Sequence, residues 1–227
     1  MLPSVALPRI AARVLPFLAG TVLLAATAYS HAQPYPNRPV KFMVGYGAGG
    51  GVDITARHLA ESLREGLGQT ILIENRAGAA GMVAANAVAK AAPDGYTLLM
   101  AASGEIATNP HLYNQKMQYD AEKDFIPITN VVMMPNVPPV SDTPAMAGFQ
   151  LVNWYGLFAP AATPADVVTK LNVEVTKVLR NPAFVEKMRS LGGEANPMTP
   201  QQFREFVIAE SASFKRIIER ANVKLPE

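Results

Sequence analysis

The segment Val40–Arg57, with the sequence VKFMVGYGAGGGVDITAR, determines how the rest of the chain is arranged. Val40–Val44 is a short apolar run, which predicts a buried strand. Five glycines follow within seven residues, at positions 45, 47, 49, 50 and 51, and a helical pattern begins near Val52. Glycines allow the backbone to approach a ligand, and the first N–H groups of a helix lack internal acceptors. The pattern therefore predicts an anion-binding loop, which we interpret as a site for a small carboxylate.

Two other interpretations of this glycine loop stay open. Gly45–Gly50 matches the dinucleotide pattern G-x-G-x-x-G, and Glu74 ends the next predicted strand about where a ribose-binding acid belongs. Asp53 argues against a dinucleotide, because its carboxylate would lie near a pyrophosphate. The loop is otherwise a tight turn without a ligand, in which Asp53 is an acid in the first helical turn that interacts favourably with the helix dipole.

The first 32 residues differ from the rest of the chain. Arg9 and Arg13 precede Val14–Ala28, which contains no charge and consists of apolar or small residues, and Ser30–Ala32 supplies a small-x-small cleavage site. This pattern predicts a secretory signal peptide over residues 1–32. A membrane anchor is the less favoured alternative, because the apolar run is shorter than the ~20 residues that span a bilayer.

Charge and composition exclude several functional classes. Of 20 basic residues two lie in the predicted signal peptide, so the remainder is balanced by the 18 acidic residues, and no basic cluster suggests a nucleic acid partner. The chain has no cysteine, and its three histidines show no metal-ligand spacing. No serine lies in a nucleophile-elbow pattern. We expect no metal, no cofactor and no hydrolase activity.

A strand–loop–helix unit occurs three times between residues 40 and 113. Strands are predicted over 40–44, 69–74 and 96–101, each followed by a loop and a helix, which is typical of an α/β fold with a mostly parallel sheet and flanking helices. The loops at 45–53, 75–81 and 102–109 should converge, because the carboxyl ends of parallel strands share one edge. Ser103, Thr108 and Asn109 either bind a carboxylate there or cap the following helix.

Several ordered motifs then resemble one known family. They are YPNRPV at 35–40, GGGVD at 49–53, ENRAGAAG at 74–81, PDGYTL at 93–98 and WYGLFAP at 154–160. The chain is similar to the extracytoplasmic solute receptors of tripartite tricarboxylate transporters, the Bug (TctC-like) family. The resemblance extends over nearly all residues after 32. It implies a periplasmic-binding-protein type II-like lobe, a periplasmic location, a small carboxylate ligand, membrane transporter subunits as partners and no catalysis.

The resemblance also implies which residues bind the ligand. Family members hold a carboxylate through main-chain groups and ordered water at the glycine loop, and polar groups of the third loop contribute. The candidate ligand-binding residues are Tyr46, Gly47, Gly49, Gly50, Gly51, Asp53, Asn75, Ser103, Thr108 and Asn109.

The chain departs from the family in its middle. The segments on either side of residues 137–148 resemble the family's strands that enter and leave a second lobe, so most of that lobe is absent. We expect residues 33–136 and 149–227 to form one lobe, joined by a shortened connection at 137–148. Without the opposite wall of the cleft, ligand affinity should fall. The chain is then a weakened receptor, a folded remnant that does not bind or, as a third alternative, an exported dinucleotide-binding enzyme.

Overall fold

The computed structural model describes residues 34–113, 115–135 and 152–223. The described residues from Pro36 onward belong to one compact unit. The predicted signal peptide and the connection at 137–148 lie outside the described residues, so both stay predictions. Among the helices of the described part, none is long and apolar enough to cross a membrane.

The first half of the chain forms the parallel part of the sheet. Its elements are β1 Val40–Val44, α1 Gly51–Leu67, β2 Ile71–Asn75, α2 Met82–Ala89 and β3 Thr97–Ala102. Both β2 and β3 pair with β1 in parallel. This confirms the predicted strand–loop–helix units, and it brings the carboxyl ends of the three strands to one edge of the sheet.

The second half of the chain forms the antiparallel part of the sheet. Its strands are β4 Phe125–Pro135, β5 Val152–Pro160 and β6 Glu194–Ala195. The strand order is β2-β1-β3-β5-β4-β6, and β5 runs antiparallel to both of its neighbours. The predicted α/β class with flanking helices is confirmed, but the sheet is mixed rather than mostly parallel. Hydrophobic periodicity identifies strands without identifying their partners. It therefore does not reveal that β5 lies between β3 and β4, two strands that precede it in the chain.

The described residues contain four further α-helices. They are α3 Asn109–Leu112, α4 Ala165–Leu179, α5 Pro182–Ser190 and α6 Pro200–Arg220. A π-helical turn, Gly104–Thr108, precedes α3. Helix α6 begins with a capping box, in which Thr199 and Gln202 each bind the other's backbone.

An aromatic cluster joins α6 to β5. Phe203 of α6 lies 5.5 Å from Trp154 and 5.0 Å from Phe158, measured between ring centroids. Gly156 lies between these two strand residues, and a Cβ on it would approach Phe203 Cζ to 2.3 Å. The glycine therefore allows the ring to pack directly on the strand. These contacts place α6 beside the edge where the three loops meet.

Candidate functional site

The three predicted loops meet at the carboxyl edge of β1, β2 and β3. Asn75 of the second loop donates from Nδ2 to Tyr46 O at 3.0 Å and to Asp53 Oδ1 at 2.9 Å. Tyr46 of the first loop donates from its hydroxyl to Glu105 Oε2 of the third loop at 2.8 Å. Asn109 Nδ2 donates to the carbonyl of Ala80 at 2.9 Å. The predicted convergence of the loops is confirmed.

A cavity of about 490 Å³ opens at this edge. Its lining residues come from the glycine loop, the third loop, the start of β5 and α6: Tyr46, Gly50, Gly51, Val52, Ala102, Ser103, Gly104, Thr108, Val152, Asn153, Tyr155 and Phe214. The first helical hydrogen bond of α1 runs from Ile54 N–H to Gly50 O. The N–H groups of Gly51 and Val52 therefore have no intrahelical acceptor. The residues that carry these N–H groups and several hydroxyl-bearing residues therefore line the same cavity.

The ten candidate ligand-binding residues separate into two groups. Those that line the cavity are Tyr46, Gly50, Gly51, Ser103 and Thr108. Those that do not line it are Gly47, Gly49, Asp53, Asn75 and Asn109. The second group supports the loops from behind through turns and hydrogen bonds, and a direct contact of its members with a ligand stays a prediction.

Asp53 organises the glycine loop. Its side chain is 2% exposed and accepts hydrogen bonds from Gly49 N–H at 2.8 Å, Arg57 Nε at 2.9 Å and Asn75 Nδ2 at 2.9 Å. Burial raises the pKa of Asp53, but the hydrogen bonds from Arg57, Gly49 and Asn75 outweigh it and hold the pKa below its ordinary value. Gly49 has φ +82°, so a glycine suits the turn that presents its N–H to this carboxylate.

The dinucleotide interpretation rested on the glycine pattern at 45–50 and on a ribose-binding role for Glu74 near the end of β2. Glu74 instead binds Lys41 Nζ at 2.6 Å and Arg76 Nε at 2.6 Å. Hydrogen bonds from Lys41 and then Arg76 lower the pKa of Glu74. The carboxylate is thus engaged by two cations of its own chain, which disfavours a ribose-binding role for Glu74 and leaves the glycine pattern as the remaining support for a dinucleotide.

Sequence reasoning did not identify Glu105 as a site residue. Its side chain is fully buried, and Oε2 accepts hydrogen bonds from Tyr46 and from Ala102 N–H at 3.1 Å, while Oε1 has no hydrogen-bond partner. Burial raises the pKa of Glu105 to about 8. Burial and the neighbouring Glu105 also raise the pKa of Tyr46. The sequence signal that could have identified Glu105 is that it is the only acid in a run of small and apolar residues at 101–107.

Two site residues come from β5, which no motif of the sequence placed beside the loops. Ser103 donates from Oγ to Asn153 Oδ1 at 2.9 Å. A Cβ on Gly51 would lie 2.6 Å from the Tyr155 hydroxyl oxygen, so this hydroxyl packs directly against the start of α1. Both contacts depend on the pairing of β5 with β3, which no local pattern reveals.

The residues present do not form an evident metal centre. Within residues 34–113, 115–135 and 152–223, no group of three or more His, Cys, Asp or Glu side chains is arranged to hold a metal ion. The cavity lining contains no charged side chain in this part of the chain. The polar side chains of this lining are therefore neutral.

The sequence matches the family described as tripartite tricarboxylate transporter family receptor (TctC) over residues 55–145 and 132–223. The chain belongs to this family. A UPF0065 protein from Bordetella bronchiseptica is 41% identical over 133 residues, which are 59% of this chain and 39% of that relative. This chain therefore aligns with well under half of that curated relative.

A second relative of this TctC-family chain is longer within the aligned region. A UPF0065 protein from Pseudomonas is 21% identical over an alignment of 312 positions, covering 88% of this chain and 92% of the relative. Because this chain has only 227 residues, the relative contains additional residues inside the aligned region. The shortening that the sequence predicted is consistent with this alignment.

Solved structures share the fold of this TctC-family chain. The periplasmic binding protein BugD has a TM-score of 0.74 and 25% identity, with 84% of this chain and 99% of BugD covered. A Rhodopseudomonas palustris protein solved with adipate has a TM-score of 0.74, 23% identity and coverages of 84% and 99%. MatC from the same organism, solved with malate, has a TM-score of 0.70, 22% identity and coverages of 81% and 100%.

Proposed function

We propose that this protein is a periplasmic, non-enzymatic receptor that binds a small carboxylate in the cavity and delivers it to the membrane subunits of a tripartite tricarboxylate transporter. The observation that carries the proposal is the set of neutral donors around one space. It combines the N–H groups of Gly51 and Val52, which have no intrahelical acceptor, with the side chains of Thr108 and Tyr155. The hydroxyls of Tyr46 and Ser103 belong to the same lining, and in this structure they donate to Glu105 and Asn153. A carboxylate matches such donors because it only accepts hydrogen bonds.

The electrostatic environment of the cavity supports an anionic ligand. The first residues of α1, Gly51 and Val52, line the cavity, so the positive end of the helix dipole lies beside it. Asp53 does not line the cavity, and its carboxylate is engaged by Gly49, Arg57 and Asn75. Family membership and the two solved neighbours that hold adipate and malate favour the same ligand class. Adipate and malate are therefore the first compounds to test.

The alternative function is that of a folded remnant without useful affinity. The additional residues of the Pseudomonas relative favour it, because a second lobe normally closes the cavity and excludes water from the ligand. The two alternatives differ in one property, namely whether a carboxylate stabilises the folded protein.

The deciding experiment is a thermal unfolding series of the purified protein with adipate, malate, the uncharged diamide of adipate, and NAD. A carboxylate at 100 times its dissociation constant should stabilise the fold by about 2.7 kcal/mol. The diamide should have no effect, because it lacks the charge that α1 attracts. Unfolding that no carboxylate shifts supports the remnant, and a shift with NAD alone contradicts the receptor proposal.

Paired serine variants locate the ligand. Ser103→Ala removes a hydroxyl that lines the cavity, and Ser62→Ala removes an exposed hydroxyl on α1 that does not line it. We expect the first variant to weaken carboxylate binding by about 1 kcal/mol and the second to leave it unchanged. Equal affinities in both variants place the ligand outside this cavity.

A further inference from the structure

The Glu105 carboxyl lies directly behind the cavity wall. Its Oε2 atom is 2.8 Å from the hydroxyl of Tyr46, and Tyr46 lines the cavity. The carboxyl packs against Gly81, where a Cβ would lie 2.5 Å from Glu105 Cδ, and Oε1 would lie 2.9 Å from a Cβ on Gly45. Tyr46 is therefore the one described side chain that connects this buried acid to the ligand space through a hydrogen bond.

The surroundings of Glu105 disfavour its charged form. Among the described residues, the titratable groups whose pKa values respond to Glu105 are three tyrosines: Tyr46 after β1, Tyr119 before β4 and Tyr155 in β5. No lysine, arginine or histidine of the described residues affects the pKa of Glu105. A buried carboxylate without a cationic partner is costly, and burial raises the pKa of Glu105 to about 8.

The helices near the third loop add no compensating charge. Helix α3 contributes His111, whose Nε2 lies 2.9 Å from Ser211 Oγ of α6. Helix α6 also carries Glu210, an acid whose pKa is raised by its own burial. Neither His111 nor Glu210 is among the groups that shift the pKa of Glu105.

Protonation of Glu105 changes what Tyr46 offers to the cavity. When Glu105 is ionised it can only accept, so the Tyr46 hydroxyl must direct its proton backwards to Oε2. When Glu105 is neutral, its own O–H donates to the Tyr46 oxygen, and the tyrosine proton is free to point into the cavity. With Glu105 neutral, the Tyr46 hydroxyl is thus available as a donor to the cavity. With Glu105 ionised, the Tyr46 proton is engaged and a buried negative charge lies behind it.

We propose that Glu105 is a positioning residue that couples carboxylate binding to proton uptake, because only its protonated form releases the Tyr46 hydroxyl as a donor to the ligand. The inference rests on the proposed function. The proton comes from solvent and binds Glu105, and no covalent bond to the ligand forms. By linkage, the ligand favours protonated Glu105 to the same extent that protonation favours the ligand.

The test is calorimetric titration of the purified protein with adipate and malate between about pH 6.5 and pH 9.5, where ordinary carboxylates are already ionised. Repeating each titration in buffers of different ionisation enthalpy counts the protons taken up. We expect no uptake near the lower limit and close to one proton per ligand near the upper limit. Affinity should fall by up to about tenfold per pH unit above the pKa of Glu105.

Three variants assign the effect to this pair. Glu105→Gln keeps a neutral donor behind Tyr46, so it should bind as the unmodified protein does at low pH and lose the pH dependence. Tyr46→Phe should bind more weakly and take up no proton. Glu210→Gln, the matched control, removes another acid of raised pKa that does not contact Tyr46, and it should keep the full pH profile.

The outcomes separate this inference from the proposed function. Binding with constant affinity and no proton uptake overturns the coupling and leaves the receptor proposal intact. No binding at any pH overturns both. A pH dependence that persists in Glu105→Gln assigns the proton to another group and overturns the role of Glu105. If Glu105→Gln does not fold, proton counting on the unmodified protein and on Tyr46→Phe decides the question.

Discussion

Asp53 is almost fully buried and joins the glycine loop, helix α1 and the end of β2 through its three hydrogen-bond partners. We expect Asp53→Ala to lower the free energy of unfolding by about 1–3 kcal/mol, because Asn75 and Gly49 N–H lose their acceptor. Asp166 is the matched control, since it is also an acid in a first helical turn, of α4, but is exposed. Asp166→Ala should cost no more than about 1 kcal/mol. Urea unfolding measures both, and equal losses contradict the role of Asp53.

The lowered pKa of Asp53 also predicts an acid dependence of stability. A carboxylate with a depressed folded-state pKa stabilises the fold fully above its unfolded pKa, about 3.9, and loses this contribution as the pH falls through the folded value. The stability difference between the unmodified protein and Asp53→Ala should therefore be constant near neutral pH and shrink in acid below about pH 4. Urea midpoints measured across this range check the sign, and a difference that grows in acid contradicts it.

Gly51 controls access to the N-terminus of α1. A Cβ at this position would lie 2.6 Å from the Tyr155 hydroxyl oxygen, whereas a Cβ on Gly47 meets nothing within 4 Å. We expect Gly51→Ala to displace Tyr155 and weaken adipate or malate binding by about tenfold or more, which corresponds to about 1.4 kcal/mol. Gly47→Ala should leave affinity within about twofold. Titration calorimetry compares the two variants, and a larger loss from Gly47→Ala contradicts this assignment of the ligand position.

The site residues that the sequence identified belong to local patterns, whereas those that it missed depend on long-range pairing or on burial. Tyr46, Gly50 and Gly51 belong to a local strand–glycine–helix pattern, so chain order alone locates them at the edge of the sheet. Tyr155 reaches the site only through pairing of β5 with β3, and Glu105 is recognisable only once its burial is known. Local patterns encode what neighbours along the chain do, and they carry no information on which distant strands pair.

The same difference between local patterns and long-range pairing applies to the strands and helices. The units from β1 to β3 were predictable because alternating strands and helices leave few arrangements for a parallel sheet. The antiparallel direction of β5 was not predictable, because that direction depends on the insertion of β5 between β3 and β4. The π-helical turn Gly104–Thr108 also escaped prediction, since one extra residue in a turn leaves no compositional signal.

The contact between β5 and α6 depends on Gly156. An added Cβ would approach Phe203 Cζ to 2.3 Å, and the buried ring of Phe203 packs between Trp154 and Phe158 with little room to move. We expect Gly156→Ala to cost about 1–3 kcal/mol in unfolding free energy. Combining it with Phe203→Leu, which removes the outer ring atoms, should cost less than the sum of the two single changes. Additive losses in denaturant unfolding contradict the proposed close contact.

The whole sheet combines chain segments from both sides of residues 136–151. β5 follows this region in sequence, yet it lies between β3 and β4, which precede it, and β6 covers the other side of β4. Neither segment alone therefore completes the hydrogen bonds of its strands. This arrangement supports the prediction that residues 33–136 and 149–227 form one lobe, and it suggests a direct test.

A chain that ends at Pro135 lacks both strands that pair with β4, and it leaves one side of β3 unpaired. Unpaired strands expose backbone groups and apolar side chains such as Ile128 and Val131, which are fully buried in the complete fold. We expect residues 1–135 alone to show no cooperative thermal transition by circular dichroism. Adding a peptide of residues 152–227 should restore one, because β5 then pairs with β3 and β4 as in the intact chain. Two fragments that each unfold cooperatively and do not associate would show that the chain contains two lobes instead of one, and a receptor site formed between the glycine loop and β5 would then have no structural basis.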